Sequence, residues 1–146
     1  MIELIMGCPI GALLAFPKND WEKVRRLKQL MGGALRQSGI LAAAGIYALE
    51  NNIKRLSDDH ANAEWLATRL SAEIPDIKVE NTHPSTNMVF FQWNGIHLSA
   101  TEFNQACIKQ GLRFSHVEER RFRAVTHLDI SREDIDKTIE ILKNIH

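Results

Sequence analysis

The sequence predicts an α+β fold, with helices first and then a small, mainly antiparallel sheet covered by helices. Three observations carry this. Apolar residues recur at helical spacing as far as Ile74, and beyond Pro75 they alternate as in strands. Ser99-Ala100-Thr101-Glu102 and Ser131-Arg132-Glu133-Asp134 read as helix caps. The pieces after Pro75 follow the order β–β–α–β–β–α.

Each element has a local reason. Ile5 to Phe16 is an extended apolar run interrupted by Gly7, Pro9 and Gly11. Asn19-Asp20 offers an N-cap, and Trp21 to Leu30 follows as a short basic amphipathic helix. Ser38 to Asn51 is a helix rich in Ala and Leu, whose small residues would let a second helix approach closely. Asn51-Asn52 marks a bend, and Ile53 to Ile74 continues as a charged helix with Ile53, Leu56, His60, Ala63, Leu66 and Leu70 along one stripe. Ile77 to Glu80 and Met88 to Trp93 read as strands, with Asn94-Gly95 as the turn after the second. A helix runs from the Ser99 cap to about Gln110 and is closed by Gly111. Leu112 to Val117 and Phe122 to His127 are two further strands, joined by a charged Glu118-Glu119-Arg120-Arg121 turn. The last helix spans Ile135 to Ile145.

Composition narrows the function classes. A chain of 146 residues can bury a proper core, and 45% hydrophobic with 25% charged residues is ordinary for a soluble globular protein. Lys+Arg and Asp+Glu balance at 18 each, so no bulk field points to nucleic acid or an anionic membrane. The apolar start carries Glu3, lacks a basic lead and ends without a cleavage pattern, so neither signal peptide nor membrane span is expected. That abrupt start also resembles the tail of something larger. Cys8 and Cys107 are far apart and show no metal-type spacing, which favours a reduced, cytoplasmic setting without a structural disulfide.

Two arginines stand out. Met31-Gly32-Gly33-Ala34-Leu35-Arg36-Gln37-Ser38 bends the main chain through two glycines and sets Arg36 beside a helix N-terminus. Backbone N–H groups and the helix dipole favour an anion there, and a guanidinium suits phosphate or carboxylate. An ordinary helix corner with a surface arginine reads the same way. Arg123 alternates along Phe122-Arg123-Ala124-Val125-Thr126-His127, so it points away from Phe122 and must either reach water or pair with an anion. Arg120 and Arg121 are expected in the turn and solvated. The histidines His60, His83, His97, His116, His127 and His146 show no compact metal-ligand spacing. Cys107 falls mid-helix, and neither a nucleophile elbow nor a phosphate-binding glycine signature is present in the sequence.

Taken in order, several stretches resemble the C-terminal part of the low-specificity threonine aldolases, pyridoxal-phosphate lyases of fold type I. Gly7-Cys8-Pro9-Ile10-Gly11-Ala12-Leu13-Leu14 is similar to the run after that family's cofactor lysine, and Met31 to Tyr47 to its glycine-rich loop and following helix. Asp58-Asp59-His60-Ala61-Asn62-Ala63 is similar to its next helix, and Thr86-Asn87-Met88-Val89-Phe90 to a sheet strand. Arg123-Ala124-Val125-Thr126-His127-Leu128-Asp129-Ile130-Ser131 resembles the last strand. The resemblance implies the small C-terminal domain of an oligomeric enzyme that splits threonine or allo-threonine into glycine and acetaldehyde. It implies that Arg36 reaches the cofactor phosphate and that Arg123 holds the substrate α-carboxylate, both suited to a guanidinium.

The departures from the family pattern shape the remaining expectations. Where the family carries Ser-Lys-Gly-Leu-Gly, this chain reads Glu3-Leu4-Ile5-Met6-Gly7, so Leu4 occupies the position of the Schiff-base lysine. Gln29 replaces a usual basic residue, and His116-Val117-Glu118-Glu119 lacks the small turn-forming residues. Residues 1–35 are expected to pack on a large domain, and residues 36–146 to form the small α+β domain. Alone, the chain is expected to bind no pyridoxal phosphate and to be inactive. A separate large-domain chain is one expected partner; self-association through the apolar N-terminal run and the Ala-rich helix is another. The alternative is a non-catalytic α+β module that binds an anionic metabolite or a protein.

Overall fold

The computed structural model describes residues 7, 8 and 14–145, so most of the apolar N-terminal run, including Leu4, lies outside the described residues. The chain divides into two compact units, Met1–Ile53 and Lys54–His146. In the first, a 3-10 turn (Lys18–Asp20) leads into α1 (Trp21–Leu30), and α2 spans Gly39–Asn51. Asp20 stands at the N-cap of α1 but makes no side-chain bond there; the turn itself enters the helix, with the Asp20 N–H on the Pro17 carbonyl at 2.9 Å. The Phe16 and Trp21 rings stack with centroids 6.2 Å apart. The α2 sequence has no charged residue before Glu50, and Ile40, Ile46 and Tyr47 on it are exposed.

The second unit is the α+β body. It holds α3 (Leu56–Glu73), β1 (Ile77–Val79), β2 (Met88–Trp93), α4 (Ala100–Lys109), β3 (Ser115–Glu118), β4 (Arg121–Val125) and α5 (Arg132–Lys143). The four strands form one antiparallel sheet in the order β1-β2-β4-β3. Period-two alternation puts Val89, Phe91 and Trp93 of β2 with Phe122 and Ala124 of β4 on the buried face. Ala63, Leu66, Ala67 and Leu70 of α3, Phe103 and Cys107 of α4, and Ile135, Ile139 and Leu142 of α5 complete that core. Trp93 stacks on Phe103 at 4.0 Å, and Phe103 meets Phe122 edge-on at 5.4 Å, geometries that add to simple area burial.

Boundaries move for local reasons. The third helix begins at Leu56 instead of Ile53, because Asn52 to Arg55 form a turn in which the Ser57 hydroxyl donates to the Lys54 carbonyl. Leu112 is not a strand residue: its N–H closes the exit of α4 on the Cys107 carbonyl at 2.9 Å. His127 turns away from the sheet and accepts the Ile130 N–H at 2.8 Å. The last helix starts directly behind Ser131, whose hydroxyl accepts the Asp134 N–H while the Asp134 carboxylate accepts the Ser131 N–H. It ends at Lys143, where the Asn144 side chain donates to the Glu140 carbonyl. The α3 stripe is also rephased: His60 is exposed, and Asp59 is the buried residue.

Candidate functional site

The first candidate group lies in the first unit. Gly32 has φ +81°, the left-handed region that favours glycine. Gly33 is required by close approach, since its N–H donates to the Lys28 carbonyl at 2.8 Å and an added Cβ would lie 2.9 Å from that oxygen. Gln37 also sits in the left-handed region, at φ 52°, a conformation that costs a non-glycine residue about 1 kcal/mol. This bent segment presents Arg36, exposed and without a hydrogen bond or ion pair among the described residues, just ahead of α2. Ser38, the N-cap of α2, makes no side-chain capping bond, so that side chain does not satisfy the orphan N–H groups of the first turn.

The second group lies on the uncovered face of the sheet. In register, Arg123 of β4 stands between Phe90 of β2 and Ser115 of β3. Its Nη2 donates to the Ser115 hydroxyl at 3.4 Å, a long contact, while its Nε is buried and has no acceptor among the described residues. A buried N–H without an acceptor costs on the order of 1–3 kcal/mol, so the local chemistry favours an anion arriving at this guanidinium. Alternation along the strand therefore places Arg123 correctly, opposite to Phe122.

Its neighbour needs correcting. Arg121 is a strand residue paired with Gln92, not a solvated turn residue. It holds Glu80 with a 2.9 Å ion pair and lies over the Phe90 ring at 4.8 Å. Hydrogen bonding from Arg121 holds the Glu80 carboxyl below the usual carboxylate range. With its charge matched, Arg121 is a less available anion ligand than Arg123.

Beneath the ends of β2 and β4 lies a buried polar cluster that the sequence reading missed. The Asp59 side chain is fully buried and is held by Arg55 through bonds of 3.1 and 2.8 Å. The Thr126 hydroxyl donates to the Asp59 main-chain carbonyl at 2.7 Å, and the Asn87 amide donates to the Thr126 carbonyl at 2.6 Å. The i,i+4 spacing of Arg55 and Asp59 was the available signal. Cys107 is buried in the core, and desolvation pushes its thiol up to about 12, which leaves it protonated and inert at neutral pH. Among the described residues, no group of three His, Cys, Asp or Glu side chains could hold a metal, and no helix is long and apolar enough to cross a membrane.

Residues 5–94 match the family model described as beta-eliminating lyase. The chain belongs to the beta-eliminating lyase family. It is 38% identical over 133 residues to the low specificity L-threonine aldolase of Escherichia coli K12, covering 89% of this chain and 37% of that protein. Low-specificity L-threonine aldolase 1 of Arabidopsis thaliana is 30% identical over 135 residues, covering 92% of this chain and 37% of that protein. The chain thus spans little more than a third of the length of these relatives. Among solved structures, an Exiguobacterium protein named for aromatic amino acid beta-eliminating lyase/threonine aldolase matches with a TM-score of 0.73 at 19% identity. That match covers 99% of this chain and 43% of the other. The cystine C-S lyase C-DES matches with a TM-score of 0.62 at 18% identity over 74% of this chain and 29% of its own. The fold is that of fold-type-I pyridoxal-phosphate enzymes, as the sequence predicts.

Proposed function

We propose that this chain is the C-terminal part of a pyridoxal-phosphate-dependent lyase that splits threonine or allo-threonine into glycine and acetaldehyde. Arg36 holds the cofactor phosphate and Arg123 the substrate α-carboxylate. The observation that carries this reading is the Arg123 Nε, buried and without an acceptor among the described residues. A carboxylate seated on Nε and Nη2 would supply that acceptor in the fork geometry arginine prefers. The close-approach turn at Gly33, followed by unpaired Arg36 ahead of α2, suits a phosphate for the reasons any helix start suits one.

The fit to the cofactor is partial. Phosphate and carboxylate ends have candidate ligands, but the resemblance sets Leu4 at the position of the lysine that bonds the cofactor covalently. When bound, pyridoxal phosphate supplies an electron sink for the substrate α-carbon. The residues of this chain contribute binding and orientation: Arg123 fixes the carboxylate, with Phe90 and Ser115 bounding its position across the neighbouring strands. This chain offers no lysine at that position, so a large domain that carries one is needed to complete the site. Residues 1–35 pack on that domain, and α2, apolar with Ile40 82% exposed, supports self-association of the assembled enzyme.

The test is direct. The purified chain, mixed with pyridoxal phosphate and threonine, is expected to release no acetaldehyde above a heat-killed control. Co-expression with a chain that carries the lysine domain is expected to restore release, and Arg123→Gln in that pair to abolish it. Turnover by the chain alone, or none from the pair, overturns the reading.

A further inference from the structure

At the C-terminal end of β4, the second unit holds an open cavity of about 540 Å³ between α5 and the segment from Gln110 to Phe114. That size lies within the range of small-molecule sites. Its floor is apolar: Leu112, Phe114, Ile130 and Ile141 line it, each only partly buried against the core. Two cations stand on the walls. Arg113 is exposed and has no hydrogen bond or ion pair among the described residues. Lys137 reaches only to within 3.9 Å of Asp134 Oδ1, while the other oxygen of that carboxylate accepts from the Ser131 N–H and hydroxyl. The rim acid Asp129 lies 3.6 Å from the His127 ring. Arg123 is not among the lining residues.

We infer that this cavity binds a small free carboxylate with an apolar body. The hydrocarbon part rests on Leu112, Phe114, Ile130 and Ile141, and the carboxylate sits between Arg113 and Lys137. Charge complementarity selects the head group: Arg113 and Lys137 have spare donors, and Asp134 turns one carboxylate oxygen to the helix cap and stays 3.9 Å from Lys137 with the other. Burial of half-exposed apolar surface selects the body, because a bare anion would leave the floor wet. This site does not depend on the lyase reading, since neither Arg36 nor Arg123 takes part.

The experiment titrates the full chain with 3-phenylpropionate and follows amide ¹H–¹⁵N shifts. Saturable shifts are expected at Gly111, Leu112, Thr138 and Ile141, with a dissociation constant of about 1 mM. Arg113→Gln and Lys137→Gln, both at exposed positions, are each expected to weaken binding roughly tenfold with peak dispersion unchanged, whereas Arg123→Gln leaves it intact. Equal binding of 3-phenylpropanol, tighter binding of 3-phenylpropylamine, loss of the shifts in Arg123→Gln, or no saturation by about 20 mM would each overturn the proposal.

Discussion

The Thr126 hydroxyl donates to the main-chain carbonyl of Asp59 across 2.7 Å, tying the segment after the last strand to the first turn of α3. Thr126 is also joined to Asn87 twice: the Thr126 N–H donates to the Asn87 carbonyl, and the Asn87 side-chain amide donates to the Thr126 carbonyl. All three residues are buried. Thr126→Val keeps the shape and removes the hydroxyl donor, so it is expected to cost about 1–2 kcal/mol. Urea unfolding should show a lower midpoint with an unchanged slope.

The Arg55–Asp59 pair predicts an asymmetry. The Asp59 carboxylate is wholly buried, whereas the Arg55 side chain keeps 26% of its surface. Arg55→Met strands a buried charge and is expected to cost about 3 kcal/mol. Asp59→Asn leaves an arginine that can turn to water, and its cost should be smaller, about 1–2 kcal/mol. Equal losses in chemical denaturation would contradict the unequal burial on which this rests.

These two residues also show where the sequence stops being legible. The α+β order, both helix caps and the outward face of Arg123 follow from periods and turn chemistry, because those signals are local. The phase of α3 does not. Counting back from Ala63, positions 59 and 60 both lie on its face, and a histidine looks easier to bury than an aspartate. Arg55 neutralises the buried Asp59 carboxylate, while Thr126, from 67 residues away, binds the Asp59 main-chain carbonyl and packs the segment over it. Only the folded chain supplies the second partner. Arg121 was obscured in a related way: its strand pairing depends on Gln92, and its charge partner Glu80 is 41 residues distant.

Acid should loosen the α3–α5 contact first. Hydrogen bonding from Arg69, helped by Lys143, lowers the Glu73 carboxyl to about 2 from an ordinary value of 4.5. Arg69 also reaches Asp136 of α5 at 2.6 Å, so the acid and its partners join the two helices. A depressed folded-state value means the stabilisation is fully present above the ordinary range and is lost as pH falls through it towards about 2. Thermal unfolding is expected to be flat near neutrality and to drop across that acidic window. In Glu73→Gln the drop should be shallower, and salt should blunt it, because the groups are solvent-accessible.

Arg123→Met separates a binding role from a structural one. Among the described residues, the buried Nε has no acceptor and the guanidinium makes one side-chain bond, to Ser115 at 3.4 Å. Replacing the guanidinium by an apolar chain removes an unsatisfied donor, so stability should hold or rise by up to about 1 kcal/mol. Carboxylate recognition moves the other way. In the assembled lyase, loss of a charge-assisted fork should lower kcat/KM by about a hundredfold. A residue kept for function commonly shows this opposition, since sites selected for binding hold groups that the bare fold does not satisfy. A clear fall in the urea midpoint of Arg123→Met would instead make the arginine part of the sheet's own architecture, and the carboxylate role assigned to it would lose its physical basis.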